Sequence, residues 1–282
     1  MEIITVNGIE TLVIKNDFAE ATISMLGGHI TSFIPNGKKD LLWMSEKSEF
    51  VPGSAIRGGV PVCWPWFGDK AEGLPKHGFV RNEVWYLRSH ADLPDGRTVV
   101  TLEITDKDVK FAKPEFPFTL QITFYIGKHL EISLTAVNEG DVPVTAPCAL
   151  HTYFAVNDID DVVISGLENV SFSDRVAGAD PALQSECNAL LINKEIDRLY
   201  VDTASAVTIK DKERLIKVEK SGSNSTVVWN PWISKTLKMA DFVPEAYRTM
   251  VCVEALAAFD DARVLHPGVA VTLTQKISLL GL

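Results

Sequence analysis

The feature that most restricts the fold is a long series of short, strand-like runs with almost no helical periodicity between them. The runs are rich in Val, Ile, Thr and aromatic residues, as in TVVTLEIT (98–105), FTLQITFYI (118–126) and HLEISLTAV (129–137). Dipeptides that favour turns, such as NG, DG and PG, separate the runs. Apolar residues at every second position are typical of strands with one buried face. The pattern therefore predicts an all-β protein, a large antiparallel β-sandwich, and not alternating β and α units.

The organisation along the chain gives no sign of a boundary. A length of 282 residues allows two average domains or one large all-β domain. No Gly/Ser-rich linker, low-complexity tract or clear repeat divides the sequence. We predict a single domain over residues 1–282, in which the best candidate helix is a segment of about three turns at residues 182–192 (ALQSECNALLI).

Charge and composition exclude several classes of protein. The net charge of −10 argues against a nucleic-acid-binding protein, which needs a basic face. No apolar run approaches the ~20 residues that span a bilayer, so no membrane segment is expected. The N-terminal MEIITVNGIE does not resemble a secretory signal, and the four cysteines form no CxxC pair. We expect a cytoplasmic, monomeric protein without a disulfide framework.

A cationic cluster stands out in residues 55–85, where Arg57, Lys76, His77 and Arg81 lie among glycines, prolines and tryptophans. The cluster could bind an anion, since arginine suits bidentate phosphate contacts and glycine permits close backbone approach. It could equally be a solvated loop whose cations pair with neighbouring carboxylates at positions 69, 72 and 83. Composition leaves both interpretations open.

Two apolar strands each carry one titratable residue. In TMVCVEAL (249–256), strand alternation places Glu254 on the face of Met250 and Cys252, and in APCALHTYFAV (146–156) it places His151 on the face of Ala149 and Tyr153. The two groups could be an acid and a base, or a satisfied core histidine and a salt-bridged glutamate. Alternation does not show that the two strands meet.

Motifs for other chemistries are absent from the sequence. The six histidines show no HxH, HxxxH or HExxH spacing, so a zinc site or a cupin-like metal centre is not predicted. No GxSxG, GxGxxG or P-loop motif occurs. Most of the six tryptophans are expected to be core residues.

Six segments in order resemble the hexose-6-phosphate branch of the aldose 1-epimerase superfamily. They are RGGVPVCWPWFG (57–68), LPKHGFVRN (74–82), LHTYFAV (150–156), EIDRLY (195–200), VVWNPW (227–232) and MVCVEA (250–255). The resemblance extends over nearly the whole chain. It implies a β-sandwich of the galactose-mutarotase-like type and an isomerase that interconverts the α and β anomers of a hexose 6-phosphate, with glucose 6-phosphate as the leading candidate. No cofactor or metal is implied.

The resemblance also implies roles for individual residues. His151 would be the general acid and Glu254 the general base. Asp197 would bind sugar hydroxyls, and His77 would contact the sugar near the ring oxygen. The remaining implied contacts are to the phosphate, from Arg57 and Arg81.

The sequence departs from the family pattern at two places. Lys76 stands where relatives often have Gln or a small residue, and an added cation there would suit an anionic ligand. Ala255 and Leu256 follow Glu254, where many relatives have Pro and Gly.

Two other functions compete with this prediction. An aldose 1-epimerase acting on neutral sugars would have little use for Arg57 and Arg81. A non-catalytic carbohydrate-binding protein of the same fold would not need to keep His151 and Glu254.

Overall fold

The structure is a computed structural model, and it describes residues 1–180, 182–212 and 214–281. In that part of the chain the strands are β1 (Glu2–Val6), β2 (Ile9–Lys15), β3 (Ala19–Ser24), β4 (His29–Pro35), β5 (Val62–Cys63), β6 (Tyr86–Asp92), β7 (Thr98–Thr105), β8 (Phe118–Ile126), β9 (His129–Asn138), β10 (Val144–Thr145), β11 (Cys148–Leu150), β12 (Tyr153–Ala155), β13 (Val162–Ser165), β14 (Phe172–Asp174), β15 (Leu190–Leu191), β16 (Ile196–Tyr200), β17 (Val207–Asp211), β18 (Arg214–Ser221), β19 (Ser225–Asn230), β20 (Met250–Ala257), β21 (Val264–Leu265) and β22 (Ala270–Leu280). One short α-helix, α1 (Trp232–Thr236), and 3₁₀ turns at Val80–Asn82, Ile159–Asp161, Ala246–Thr249 and Phe259–Asp261 complete these elements.

The strands form two large sheets and two small ones. The nine-stranded sheet has the order β15-β13-β17-β18-β22-β9-β8-β7-β6. The seven-stranded sheet has the order β14-β16-β19-β20-β11-β5, with β12 also paired to β20. A four-stranded sheet, β1-β2-β3-β4, and the pair β10-β21 lie beside them. The pairings along these sheets are antiparallel, which confirms the predicted antiparallel β architecture.

The core lies between the two large sheets. Alternating residues of β7, β8 and β9 point into it, and their burial patterns switch strictly between buried and half-buried. The seven-stranded sheet differs, because every residue of its central strand β20 is buried. Val251 and Val253 of β20 belong to the main core, whereas Met250 and Cys252 belong to a second apolar cluster on the opposite face. This second cluster forms the floor of a cavity.

The best candidate helix of the sequence, residues 182–192, is not a helix in the structure. The structure has extended and irregular chain at residues 182–189, and Leu190–Leu191 form β15, paired with β13. Residues 182–188 are all exposed. A helix of three turns needs an apolar face to bury, and without one strand pairing decides the conformation.

Three further expectations from the sequence concern the tryptophans, the cysteines and membrane-spanning helices. Five tryptophans are core residues, as predicted, and Trp232 is half-buried. The thiols of all four cysteines are free. Within the described residues, no helix is both long enough and apolar enough to cross a bilayer.

Candidate active site

A cavity of about 380 Å³ opens on the outer face of the seven-stranded sheet. All seven residues singled out from the sequence line it, although they are far apart in the chain. They are Arg57, Lys76, His77, Arg81, His151, Asp197 and Glu254. The structure therefore brings the cationic cluster of residues 55–85, which we call the cationic loop, into the same cavity as His151 and Glu254.

Strand pairing explains why His151 and Glu254 meet. Strand β20 pairs with β11 through Leu150↔Ala255 and with β12 through Tyr153↔Cys252, and His151 lies at the break between β11 and β12. The two side chains are almost fully buried, with 8% and 1% exposure, and His151 Nε2 lies 3.4 Å from Glu254 Oε1. A core histidine and a core glutamate thus form one close pair that lines a cavity.

Burial sets the protonation of this pair. Loss of solvent lowers the pKa of His151 well below its ordinary value, and the nearby cations Arg81 and Arg57 lower it further. Loss of solvent raises the pKa of Glu254 well above its ordinary value, and the charge of Asp197 adds to this effect. Both shifts favour a neutral pair, in which the carboxyl of Glu254 holds the titratable proton and His151 is an uncharged imidazole.

His77 is a neutral hydrogen-bond donor toward the cavity. Its Nδ1 accepts a hydrogen bond of 3.2 Å from the backbone N–H of Gly68, so the ring proton is on Nε2. Desolvation, with Arg81 and Arg57 nearby, lowers the pKa of His77 to about 3. The ring lies edge-to-face on His151, with the centroids 5.5 Å apart.

The loop that carries His77 is fixed by close backbone packing. Gly78 has a φ of +78°, and a Cβ there would lie 1.8 Å from the carbonyl oxygen of Trp64. At Gly58 a Cβ would lie 2.4 Å from the carbonyl oxygen of Trp43. The sequence suggested that these glycines admit a ligand, but the structure shows that they admit neighbouring backbone.

The cations of the loop differ in their partners. Arg57 donates from Nε to Asp241 Oδ2 and from Nη1 to the hydroxyl of Tyr153, each at 2.8 Å. Arg81 donates from Nη2 to the carbonyl oxygen of Lys76 at 2.8 Å, while its buried Nε has no partner among the described residues. Lys76 forms an exposed ion pair with Asp69 at 3.1 Å. The interpretation as a solvated, paired loop therefore fits Lys76 but not Arg81.

Glu83, one of the three carboxylates considered as partners of the cationic cluster, has another role. It is fully buried, and its carboxylate accepts hydrogen bonds from the backbone N–H groups of Lys110 at 2.9 Å and Phe111 at 2.7 Å. The carboxylate is thus occupied by backbone donors and is not paired with an arginine of the cavity.

Two further cations in the cavity wall were missed from the sequence. The guanidinium of Arg175 lies over the ring of Phe259, 4.8 Å from its centroid, and the backbone N–H of Arg175 donates to the carbonyl oxygen of Asp197 at 2.7 Å. Lys235, on α1, pairs with Glu195 at 2.9 Å. Neither residue belongs to a motif, so no sequence signal could have identified them.

Asp197 comes from β16, which pairs with β19 through Asp197↔Trp229. Burial raises the pKa of its carboxyl above the ordinary value, and the charges of Arg175 and Lys235 oppose the rise. The side chain lines the cavity.

Within the described residues, one group of three side chains has donor atoms close enough for a metal ion. The donor atoms of His151, Cys252 and Glu254 all lie within 4.8 Å of one another. Burial raises the pKa of the Cys252 thiol well above its ordinary value, so the thiolate that a metal prefers is disfavoured. The prediction that the protein uses no metal or cofactor stays a prediction.

Comparison with known proteins agrees with the resemblance seen in the sequence. The sequence profile of the family described as "Aldose 1-epimerase" matches residues 10–278. A protein of Escherichia coli K12 named "Putative glucose-6-phosphate 1-epimerase" is 36% identical over 259 residues, which cover 91% of this chain and 86% of the relative.

Solved structures show the same fold. A crystal structure from Salmonella typhimurium, described as a "putative mutarotase", has a TM-score of 0.91 at 31% identity and covers 99% of this chain and 93% of its own. A galactose mutarotase-like protein of Lactobacillus casei has a TM-score of 0.73 at 16% identity, covering 96% of this chain and 100% of its own, which supports the fold alone. The predicted fold, family and isomerase class are confirmed, and the chain belongs to the aldose 1-epimerase family.

Proposed function

We propose that the protein interconverts the α and β anomers of a hexose 6-phosphate, with glucose 6-phosphate as the leading candidate. The observation that carries the proposal is that one cavity contains an acid/base pair and two arginines, of which Arg81 has no carboxylate partner among the described residues. The name of the Escherichia coli relative supports the same substrate.

The reaction needs two proton transfers, and the pair supplies both. The reaction starts from the form of the pair in which the titratable proton lies on His151 and Glu254 is a carboxylate. Glu254 takes the proton of the C1 hydroxyl while His151 gives its proton to the ring oxygen, and the pair is then in the neutral form that burial favours. The C1–O5 bond breaks, the free aldehyde forms, and rotation about C1–C2 presents the other face of the carbonyl. Closure of the ring reverses both transfers, so the pair returns to its starting state. The two groups are close enough to act on one sugar ring, since His151 Nε2 and Glu254 Oε1 are 3.4 Å apart.

Neighbouring groups orient the sugar. The Nε2–H of His77 donates toward the ring oxygen, and it does so as a neutral group because the pKa of His77 is about 3. Asp197 accepts hydrogen bonds from sugar hydroxyls. Placing the reacting atoms in this way lowers the entropic part of the barrier.

Arg57 and Arg81 hold the phosphate in this proposal. A guanidinium can present two parallel N–H donors to phosphate oxygens. Arg81 lines the cavity and forms no ion pair with a carboxylate of the described residues. Lys76 at the exposed rim adds a third positive charge, which its ion pair with Asp69 partly offsets.

A cytoplasmic location belongs to the same proposal, because a phosphorylated sugar is charged and does not cross the hydrocarbon core of a membrane unaided. A monomer suffices for the chemistry, since all the proposed groups come from one chain.

Exchange NMR spectroscopy of the two anomers tests the proposal directly. Glucose 6-phosphate, glucose and galactose are compared at equal concentration, with and without the protein. We expect faster exchange for the phosphate ester, by at least about tenfold over the free sugars, because a charged hydrogen-bonded contact is worth that much. Equal acceleration for free sugars would favour the neutral-sugar epimerase.

Replacing Arg81 by Met and Lys76 by Met separates the two cations. The Arg81→Met variant should lose the preference for the phosphate ester, whereas Lys76→Met, at the exposed rim, should keep most of it. If neither substitution changes the preference, the proposed phosphate site is wrong.

A further inference from the structure

Tyr153 contacts both the proposed phosphate site and the proposed acid. Its hydroxyl oxygen accepts a hydrogen bond from Arg57 Nη1 at 2.8 Å. Its ring lies flat against the imidazole of His151, with centroids 4.8 Å apart and planes 10° apart. The side chain is 1% exposed. One rigid side chain therefore links Arg57 to His151.

The aromatic side chains around Tyr153 close a ring of contacts. Trp43 stacks on Tyr153 at 5.9 Å and on Phe242 at 5.3 Å. The guanidinium of Arg57 lies over Phe242, 5.4 Å from the ring centroid. Asp241, next in the chain to Phe242, holds Arg57 Nε at 2.8 Å. Because such interiors are close-packed, a shift of the guanidinium is passed to the stack and not absorbed by it.

We propose that Tyr153 is a positioning residue that couples Arg57 to His151, so that a phosphate dianion on Arg57 accelerates proton transfer at C1. The inference rests on the proposed function. Binding energy from a remote part of a substrate raises kcat only when it is realised in the transition state. The contact from Arg57 through Tyr153 to His151 gives the remote phosphate a route to the reacting atoms.

Charge acts in the same direction as geometry. The positive charges of Arg81 and Arg57 oppose a proton on His151 and lower its pKa. A dianion bound to Arg57 offsets these charges, and a protonated His151 becomes easier to form beside it. The phosphate thus orients the acid and favours its charged form.

The first test removes the hydroxyl of Tyr153 and measures the effects on kcat and on KM separately. Tyr153→Phe keeps the ring that stacks on His151 and removes only the acceptor of Arg57. With glucose 6-phosphate we expect kcat to fall about 10- to 100-fold and KM to change by less than about threefold. A higher KM with the wild-type kcat would overturn the inference, because Tyr153 would then only help to bind the phosphate.

Tyr200→Phe is the matched control. Tyr200 is also a buried tyrosine, with 3% exposure, but it lies outside the cavity and packs against Phe172. Its variant should keep the wild-type kcat. Equal losses in the two variants would mean that removal of a buried hydroxyl merely loosens the fold, and would likewise overturn the inference.

The second test begins with the wild-type protein and free glucose. Inorganic phosphite is added to wild-type protein with free glucose, with chloride at the same ionic strength as the control. We expect phosphite to accelerate anomer exchange of glucose at least about tenfold, since the dianion then acts without being attached to the sugar. The Tyr153→Phe variant should lose most of this acceleration.

The two proposals fail in different ways. If wild-type protein exchanges glucose 6-phosphate but phosphite gives no acceleration, the coupling is wrong and the proposed function stands. If wild-type protein does not exchange glucose 6-phosphate, the proposed function is wrong.

Discussion

His151 and Glu254 each occupy a position where packing alone would select a hydrophobic residue. Burial costs free energy for a charged group, and the structure reduces that cost by letting the two share one proton. The same closeness makes the pair useful, because each partner can accept the proton that the other releases. The catalytic proposal can therefore be tested one side chain at a time.

His151→Asn and Glu254→Gln should each abolish most of the activity. Gln keeps the size of Glu, and Asn keeps an amide nitrogen near the position of the histidine Nδ1, but neither amide can exchange a proton. A positioned acid or base contributes about 10²–10⁴-fold. Exchange NMR measures the rate, and thermal unfolding checks that the variants fold. Near-wild-type turnover in either variant would refute the assignment.

Glu254→Gln should also make the protein more stable at high pH. The folded-state pKa of Glu254 lies above its ordinary value, so its contribution to stability is complete below that ordinary value and is lost as pH rises through the folded pKa. The amide cannot ionise and avoids this loss. We expect a gain of about 1–2 kcal/mol near pH 8 and a smaller difference near pH 5.

Chemical unfolding at the two pH values measures this difference. Glu131→Gln, on the half-buried face of β9, is a suitable control and should show little change. A Glu254→Gln variant that is less stable than the wild type at pH 8 would mean that the buried carboxylate is well solvated or paired.

At the level of secondary structure, strand periodicity was the reliable part of the sequence prediction. It placed Met250, Cys252 and Glu254 on one face of β20, and the structure agrees, with Met250 and Cys252 in the apolar cluster below the cavity. It could not show that β20 pairs with both β11 and β12, since sheet order depends on contacts distant in sequence. The proximity of His151 and Glu254 therefore came from the structure, and their roles came from resemblance.

Irregular segments were the least predictable part. Arg175 and Lys235 reach the cavity from a loop end and a single helical turn, where no periodicity marks the side facing a ligand. The segment 182–192 showed the opposite error, in which local spacing suggested a helix that has no buried face. The sequence pointed to the glycines of the cationic loop as positions where a ligand could approach the backbone. In the structure Gly58 and Gly78 instead allow close packing against neighbouring backbone.

Gly78→Ala should disrupt the cationic loop. Its added Cβ would lie 1.8 Å from a carbonyl oxygen, at a φ of +78°, so the backbone between His77 and Arg81 has to move. We expect a loss of about 3 kcal/mol or more in unfolding free energy, with a large loss of activity. Unfolding by denaturant and exchange NMR measure the two effects.

Gly73→Ala is the matched control in the same stretch. Gly73 has a φ of +82°, but a Cβ there would meet nothing within 4 Å. The variant pays only the conformational strain, about 1 kcal/mol, and should stay active. If the two variants lose equal stability, backbone contact with Trp64 is not what fixes the loop.

On the scale of the whole molecule, the protein is strongly acidic, but several of its cationic side chains are gathered around one cavity. The chain carries a net charge of −10, yet five of its cations line one cavity: Arg57, Lys76, Arg81, Arg175 and Lys235. Asp69, Asp197 and Glu254 line the same cavity, and Asp241 and Glu195 pair with two of its cations, so the local excess of positive charge is modest. An anion should therefore bind through directed donors and not through a broad positive surface.

Inorganic phosphate should consequently stabilise the whole fold against heat. A ligand that binds only the native state adds RT ln(1 + [L]/Kd), about 2.7 kcal/mol at a hundredfold excess over Kd, which corresponds to a rise in Tm of about 5–10 °C for a protein of this size. Chloride at the same ionic strength is the control for screening. The proposed phosphate donors are Arg57 and Arg81, so the double variant Arg57→Met/Arg81→Met removes both. Phosphate should then no longer raise the Tm of this variant above the Tm that it has without phosphate. A rise of equal size in the double variant would place the anion elsewhere in the molecule, and would separate the acid/base pair from any phosphate site.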